Sequence, residues 1–281
     1  MQKTRERTER AKSERPLAEL RARIQDAPEL ISFADAISNG LCLIGEIKQA
    51  SPSMGNMKPE NVERAADVYK GSRLVKAISV LTHPDFGPEM NLARLQRVKI
   101  ETKKPVLRKD FITDEYEIYE ARAHGADAIL LMANLLGKGE LARLHQAACE
   151  LKMEVLFETH SAEEIAKAPE GTRIYGINCR SFESAGKTFA LSRLLGRWFG
   201  SRRDLTIDYS RFDYIRELPG RVLKVAESGI NPDRVKDVRD AGFNAILVGT
   251  SLLIGPTPID EVLNQFERAI TQAAGVSKVL A

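Results

Sequence analysis

The sequence predicts an α/β fold, a (β/α)8 TIM barrel in which eight parallel strands alternate with helices behind an N-terminal helical extension. Eight short apolar runs recur along the 281 residues, and segments with helical periodicity separate them. Several runs are apolar on both alternating faces, which is typical of strands buried in a parallel sheet. Most runs also end in polar or glycine-containing residues, at the strand ends where barrel enzymes carry their chemistry.

The elements follow an extension over residues 1–40, which contains no strand-like run. Interleaved charges in the first 15 residues favour a solvated helix, and two amphipathic helices are predicted over 16–24 and 30–37. The eight strands are predicted over residues 42–48, 75–81, 105–109, 126–132, 153–158, 173–178, 222–227 and 245–248. Helices between them include 60–69, 115–123 and 232–241, the last two beginning after Asp114 and Asn231 as N-caps.

Length and composition favour one domain over residues 1–281, because a barrel uses about 250 residues as a single unit. The net charge of only +3 gives no support to a nucleic-acid partner. No apolar run approaches the roughly 18 residues of a membrane span, and no signal-peptide segment is present. Three cysteines without CxxC spacing predict reduced thiols. We therefore expect a cytoplasmic protein without membrane contact, as a monomer or weak homo-oligomer.

Charged side chains at the strand ends indicate an active site. In a strand, residues two apart face the same side, so Glu46 and Lys48 are predicted to point together into the barrel mouth. The other strand-end groups of this kind are Lys109, Glu158, Asn178, Arg180 and Glu227. Convergence of these groups on one pocket favours catalysis, and a structural ion-pair ring is the alternative.

The loops after strands seven and eight carry small residues instead, Ser228 with Gly229 and Gly249 with Thr250. Many barrels bind a phosphate group in these two loops through backbone N–H groups, which small residues leave accessible. Glycines that only serve tight turns are the alternative. The four histidines share no metal-ligand spacing, and nucleotide-binding and nucleophilic-serine motifs are absent, so we expect no metal and no cofactor.

Five motifs occur in a fixed order along the chain. They are residues 45–55 (GEIKQASPSMG), 77–82 (AISVLT), 105–111 (PVLRKDF), 176–180 (GINCR) and 227–230 (ESGI). Together they closely resemble the indole-3-glycerol phosphate synthase family, from about Pro16 to Phe266. The resemblance implies a cofactor-free carboxy-lyase of tryptophan biosynthesis. Its small phosphorylated substrate would be 1-(2-carboxyphenylamino)-1-deoxyribulose 5-phosphate, which closes to indole-3-glycerol phosphate with loss of CO₂ and water.

The resemblance also implies roles for single residues. Lys109 looks like the general acid that protonates the ribulose carbonyl, and Glu158 looks like the group that handles the later dehydration. Asn178 would orient hydroxyl groups, and Arg180 is similar to the residue that meets the substrate carboxylate. The remaining implied positions hold charges around the site or bind the phosphate end, and they are Glu46, Lys48, Glu227, Ser51, Ser53, Ser228, Gly229, Gly249 and Thr250. The choice between Lys48 and Lys109 as proton donor stays open.

The chain departs from the family pattern at a few positions. Met54 and Cys179 flank the site, and residues 86–90 lack the usual Gly-Ser. The largest departure is an insert over residues 185–204 in the loop after strand six, whose basic and apolar residues predict a short helix near the substrate entrance. A tolerated surface insertion is the alternative. Two other functions stay open: another phosphate-binding barrel enzyme, an isomerase or aldolase, and a non-catalytic paralogue that binds a partner.

Overall fold

The computed structural model describes residues 2–51, 54–180 and 206–273 of the chain. Ser53 and the whole of the predicted insert, 185–204, lie outside these described residues. All eight predicted strands lie within them. In the described ranges, no helix combines the length and the apolar character needed to cross a membrane.

Eight parallel strands close into a barrel. They are β1 (Cys42–Ile47), β2 (Val75–Leu81), β3 (Val106–Lys109), β4 (Ala128–Met132), β5 (Glu154–Thr159), β6 (Ile174–Asn178), β7 (Leu223–Glu227) and β8 (Ala245–Val248). Each strand pairs with the next one in the chain, and β8 pairs with β1 to complete the circle. The predicted barrel fold is therefore confirmed, with every strand end within two residues of the predicted one and with β2 and β8 as predicted.

The parallel register brings the carboxyl ends of the strands to one mouth. Glu46 of β1 is opposite Ser79 of β2, and Asn178 of β6 is opposite Glu227 of β7. Just beyond β1, residues 50–51 and 55–56 form a short antiparallel pair at this mouth. Because all strands run in the same direction, the polar groups at their ends lie in one layer above the apolar interior.

Helices cover the outside of the barrel and precede its first strand. The extension contains α1 (Gln2–Glu14), α2 (Leu17–Gln25) and α3 (Phe33–Ala36). The later helices are α4 (Pro59–Gly71), α5 (Leu92–Thr102), α6 (Glu115–Ala123), α7 (Lys138–Glu150), α8 (Ala162–Ile165), α9 (Val235–Ala241), α10 (Thr250–Leu253) and α11 (Ile259–Ala273), with 3-10 turns at Pro84–Phe86, Tyr209–Glu217 and Pro232–Arg234.

Two predicted helices differ from the structure. The helix predicted over 30–37 shortens to α3, because the backbone N–H of Ile31 donates to Asp127 Oδ1 at 2.7 Å instead of joining a helix. The helix predicted over 232–241 begins with a 3-10 turn before α9, and Asn231 makes no side-chain cap there. In contrast, Asp114 caps α6 as predicted, with its side chain accepting from the backbone N–H of Tyr116 at 2.9 Å.

Apolar side chains fill the barrel and the space beneath its helices. Ile44, Ile78, Leu107 and Leu156, on four different strands, are completely buried. Burying a side chain of this size contributes about 1.5–3 kcal/mol relative to leaving it in water. This apolar layer supports the charged side chains at the strand ends, which are themselves costly to bury.

The extension is fastened to the barrel near β3. Leu20 of α2 packs against Tyr116 of α6. Arg7 of α1 donates to both carboxylate oxygens of Asp110, each at 3.1 Å. The helix predicted as solvated is therefore tethered on one side, because one of its basic side chains meets a buried carboxylate directly after β3.

Candidate active site

A pocket opens at the carboxyl ends of the strands. Its polar lining consists of Glu46, Lys48, Ser51, Lys109, Asp110, Glu158, Asn178, Arg180, Ser228, Gly229, Gly249, Thr250 and Ser251. Glu227 lies just behind this lining, completely buried and in contact with Lys109. The structure thus brings together every predicted site residue that it describes, and only Ser53 falls outside the described residues.

Lys109 is the centre of the charged cluster, a name used here for Glu46, Lys48, Lys109, Glu158 and Glu227. Its Nζ lies 2.8 Å from Glu227 Oε2, 3.6 Å from Glu158 Oε2 and 3.7 Å from Glu46 Oε2. Lys48 forms an ion pair with Glu46 from the same strand end. Four strands contribute to this arrangement, so closure of the barrel, and not local spacing, creates it.

The charged cluster is an ion-pair ring that also faces the pocket. The side chains of Lys109 and Lys48 remain 17% and 12% exposed, whereas those of the three glutamates are at most 5% exposed. The two alternatives drawn from the sequence, a structural ring and a reactive site, therefore describe the same set of residues. A molecule in the pocket would contact the ammonium groups of Lys48 and Lys109, whose carboxyl partners lie buried behind them.

The two lysines have opposite electrostatic surroundings. Burial lowers the pKa of Lys109, but its carboxyl neighbours Glu227, Glu158 and Glu46 outweigh burial and raise its pKa above the ordinary value. Burial also lowers the pKa of Lys48, and its ion pair with Glu46 does not restore the ordinary value, since other cations lie nearby. Lys109 therefore holds its proton firmly, whereas Lys48 releases one more easily.

The glutamates differ as well. Burial raises the pKa of Glu227 to about 8, an effect that Lys109 opposes and Glu158 strengthens. Burial also raises the pKa of Glu158, but the cation of Lys109, together with the neighbouring His160 and Asn178, brings it below the ordinary value overall. Both carboxyl groups face the Lys109 ammonium group, Glu227 Oε2 at 2.8 Å and Glu158 Oε2 at 3.6 Å. At neutral pH the raised pKa favours a protonated Glu227, and the lowered pKa favours an ionised Glu158.

Asn178 and Arg180 extend the site from the end of β6. Asn178 Nδ2 donates to Glu158 Oε1 at 3.1 Å, and Asn178 Oδ1 accepts the backbone N–H of Arg180 at 2.9 Å. Burial lowers the pKa of Arg180, with Glu46 and Glu158 opposing that effect. The guanidinium group lies in the pocket beside the charged cluster, where its planar donors suit a carboxylate ligand.

The loops after β7 and β8 contrast with this cluster, and we call their pocket residues the glycine loops: Ser228, Gly229, Gly249 and Thr250. Ser228 and Gly229 have positive φ angles of 70° and 74°, so the chain turns sharply after β7. Ser251 Oγ donates to the backbone carbonyl of Ile230 at 2.7 Å and thereby fastens the two loops to each other. Because this set is uncharged, an anion there would be bound by backbone N–H and hydroxyl donors.

Close packing explains why glycine stands at two of these positions. A Cβ atom added to Gly229 would lie 2.8 Å from Ile207 Cγ1, in a backbone conformation that side chains rarely adopt. A Cβ atom added to Gly249 would collide with the side chain of Glu46. Gly249 therefore connects the glycine loops to the charged cluster, and neither glycine serves only a turn.

Two aromatic residues in the pocket had no role in the sequence prediction. Phe86 and Phe111 both line it, with ring centroids 6.3 Å apart, and His83 packs edge-on against Phe111 with centroids 5.0 Å apart. Phe111 follows Lys109 by two residues, which is the same spacing that predicted a shared face for Glu46 and Lys48. This apolar wall suits an aromatic ring in the ligand.

His160 is a further neighbour of the site, for which the sequence indicated no role. Its Nε2 lies 3.6 Å from Glu158 Oε1, and its Nδ1 lies 3.3 Å from Glu164 Oε2. Across residues 2–51, 54–180 and 206–273, no three His, Cys, Asp or Glu side chains are grouped so as to hold a metal ion. The imidazole thus lies beside Glu158 of the charged cluster and makes its hydrogen bond to Glu164.

Comparison with known proteins gives matches over most of the chain. A sequence model of the family described as indole-3-glycerol phosphate synthase matches residues 1–193. The indole-3-glycerol phosphate synthase of Paenarthrobacter aurescens is 37% identical over 269 residues, which cover 92% of this chain and 91% of that protein. The protein of the same name from Salinibacter ruber is 37% identical over 261 residues, covering 91% and 89%.

Solved structures of lower sequence identity share the fold. The 3-hexulose-6-phosphate synthase of Salmonella typhimurium superposes with a TM-score of 0.57 at 14% identity, covering 83% of this chain and 99% of that one. The thiamine phosphate pyrophosphorylase of Pyrococcus furiosus gives a TM-score of 0.54 at 16% identity, covering 85% and 98%. At such identities the likeness shows the barrel fold alone.

Proposed function

The chain belongs to the indole-3-glycerol phosphate synthase family, and from that premise we propose that it catalyses the ring closure of tryptophan biosynthesis. The substrate is 1-(2-carboxyphenylamino)-1-deoxyribulose 5-phosphate, and the products are indole-3-glycerol phosphate, CO₂ and water. Loss of CO₂ makes the proposed enzyme a carboxy-lyase.

The observation that carries this proposal is the ammonium group of Lys109, held among three carboxyl groups at the pocket surface. Ring closure needs an acid at the ribulose carbonyl oxygen while the aromatic ring carbon attacks the carbonyl carbon. Because burial lowers the pKa of Lys109 less than its carboxyl neighbours raise it, the cation is present at neutral pH. A fixed cation stabilises the charge that develops on the oxygen without reorganising.

In the first half of the reaction, Lys109 donates a proton to the carbonyl oxygen. A carbon–carbon bond forms between the former carbonyl carbon and the ring carbon that bears the carboxylate. The carboxylate then leaves as CO₂, and the electron pair of the broken bond restores the aromatic ring. The product of this half-reaction carries a hydroxyl group where the carbonyl was.

In the second half, that hydroxyl group leaves as water. Lys48 supplies the proton it needs, since burial lowers the pKa of Lys48 towards the range of a useful acid. Glu158, held ionised by Lys109, accepts the proton lost from the carbon next to the ring nitrogen. Solvent at the pocket then restores the proton of Lys48.

Glu227 links the acid of the first half to the base of the second. It contacts Lys109 at 2.8 Å, and its carboxyl group interacts electrostatically with that of Glu158. Since burial raises the pKa of Glu227 to about 8, it carries a proton at neutral pH. A proton gained by Glu158 can therefore pass through Glu227 to Lys109, which returns the charged cluster to its starting state.

The rest of the pocket accounts for substrate binding. We assign the substrate carboxylate to Arg180, the phosphate group to the glycine loops with Ser51 nearby, and the aromatic ring to Phe86 and Phe111. Asn178 fixes Glu158 and orients the hydroxyl groups of the ribulose chain. This assignment places the reacting carbonyl group between the two ends, next to the charged cluster.

The test is the appearance of indole fluorescence when the purified protein meets the carboxyphenylamino substrate, with equimolar release of CO₂ as a second readout. A folded protein that binds the substrate without turnover would instead support a partner-binding paralogue. A Schiff-base aldolase would give a borohydride-trapped lysine adduct, which we do not expect because Lys109 is held protonated. Either result would overturn the proposed function.

A further inference from the structure

The chain returns to the barrel after the predicted insert through residues 207–211, which we call the return segment. Ile207 forms an antiparallel bridge with Arg180, and the backbone N–H of Asp208 donates to the carbonyl of Cys179 at 2.8 Å. Arg211 Nη1 donates to the carbonyl of Asn178 at 3.2 Å and to that of Arg180 at 3.0 Å. Three consecutive carbonyl groups at the end of β6, those of residues 178–180, are thus held by this segment.

Arg211 makes these contacts from a buried position. The residue is 7% exposed, and Asp208 Oδ2 lies 3.7 Å from its Nε. One nitrogen atom of the guanidinium group carries two hydrogens, which allows it to serve two carbonyl groups at once. A lysine at this position would bring a shorter, non-planar donor, and a methionine would bring none.

The carbonyl groups that Arg211 holds belong to two residues of the proposed site. Asn178 and Arg180 are two apart, so their side chains leave the extended backbone on the same side and both line the pocket. Asn178 in turn donates to Glu158 at 3.1 Å. Backbone movement at this point would displace the carboxylate-binding guanidinium and the base of the charged cluster together.

We propose that Arg211 is a positioning residue that fixes the end of β6 and thereby sets the places of Asn178 and Arg180 in the pocket. This inference rests on the proposed function, because it assigns those two residues to the substrate. Arg211 itself does not line the pocket and acts through the backbone it holds. Its effect therefore belongs to the carboxylate end of the substrate and to Glu158, and spares the phosphate end.

The test compares R211M and R211K with R216M, a control at an exposed arginine on the same 3-10 turn. In R211M we expect kcat/KM to fall about 100-fold, since small misplacements of catalytic groups have effects of that size. R211K should recover part of this loss, and R216M should stay within about twofold of the parent. Far-UV circular dichroism and the Tm report whether each variant is folded. If R211M does not fold, R211K takes its place in the comparison with R216M.

Two further measurements separate positioning from general damage. If Arg211 acts through Arg180, the loss in the R180M/R211M double variant is smaller than the product of the two separate losses. The Kd for inorganic phosphate should be the same in R211M and the parent, because phosphate tests the glycine loops. Parent-like kcat and KM in R211M, multiplicative losses in the double variant, or equal weakening of phosphate binding would each overturn the inference.

These outcomes are distinguishable from failure of the proposed function. If the parent protein itself does not turn over the carboxyphenylamino substrate, the proposed function fails. If the parent is active and R211M is equally active, the proposed function stands and the role of Arg211 fails.

Discussion

The charged cluster and the glycine loops face the same pocket but present different chemical groups to it. The cluster consists of ionisable side chains from four strands, held by one another at distances of 2.8 to 3.7 Å around Lys109. The glycine loops carry no charge and offer backbone and hydroxyl groups, with a sharp turn at Ser228 and Gly229. In the proposed reaction, protons move only in the first region, and the second holds the part of the substrate that does not react.

This difference predicts how each region fails. Removing a charge from the cluster leaves its partners buried and unpaired and removes a group that acts in the transition state, so the loss appears in kcat. Distorting a glycine loop weakens a contact that substrate and transition state share, so the loss appears in KM. Gly249 connects the two regions, because a side chain there would meet Glu46.

The largest effect is expected for Lys109→Met. This change removes the proposed proton donor and should lower kcat by a factor of about 10²–10⁴. Lys48→Met is the matched comparison, since it removes the other lysine of the cluster and should slow the dehydration step in single-turnover experiments. A folded Lys109→Met variant with near-parental kcat would take Lys109 out of the mechanism and break the assignment of chemistry to this region.

The fold and the composition of the cluster could be predicted from the sequence, but its electrostatics could not. The alternation rule placed Glu46 with Lys48, because it depends only on neighbouring residues. Glu227 and Glu158 influence each other electrostatically although they lie far apart in the chain. Their different pKa values follow from that encounter and from burial, which no local spacing encodes.

The glycine loops and the return segment show the same limit. Two glycines at the predicted loops indicated an anion site, yet the reasons for glycine, contacts with Ile207 and Glu46, appear only in the folded chain. Arg211 was missed because it follows the long predicted insert, where the sequence gives no register against β6. Phe111 could have been found by the alternation rule, two residues beyond Lys109.

After Lys109→Met, the next largest effect is expected for Glu227→Gln, which should change how the stability of the protein depends on pH. Burial raises the pKa of Glu227 to about 8 in the folded state, above its ordinary value of 4.5. Between these two values the folded state keeps the Glu227 proton and the unfolded state has lost it. The contribution of this group to stability is therefore complete below pH 4.5 and is lost as pH rises through 8. Each unit of pKa difference is worth about 1.4 kcal/mol.

Urea unfolding of the parent and the Glu227→Gln variant at several pH values between 5 and 9 measures this effect. The free energy of unfolding of the parent should fall relative to that of the variant across this range. Other titrating groups, such as the buried His83, are common to both proteins and cancel in the difference. A difference that does not change with pH would show that Glu227 is ionised, and the proton link between Glu158 and Lys109 would fail.

A smaller effect is expected for Gly229→Ala in the glycine loops. Alanine must keep the left-handed backbone conformation of Gly229, and its methyl group presses on Ile207. This strain of about 1–2 kcal/mol corresponds to roughly a tenfold higher KM. Gly220→Ala is the control, since a Cβ atom there has nothing within 4 Å. If Gly229→Ala instead lowers kcat at unchanged KM, the division between a reacting region and a holding region is wrong.

The smallest effect is expected for Tyr209→Phe, which tests how the return segment supports the glycine loops. The Tyr209 hydroxyl donates to the backbone carbonyl of Gly229 at 2.7 Å, while the guanidinium of Arg234 stacks on its ring at 4.6 Å. Phenylalanine keeps the ring contact and removes one hydrogen bond worth about 1 kcal/mol, so KM and the Kd for phosphate should each rise about fivefold with kcat unchanged. Isothermal titration with phosphate and steady-state kinetics measure the two constants. A parent-like Kd together with a reduced kcat would assign Tyr209 to the charged cluster. The return segment would then act on the reacting groups through Tyr209 as well as through Arg211.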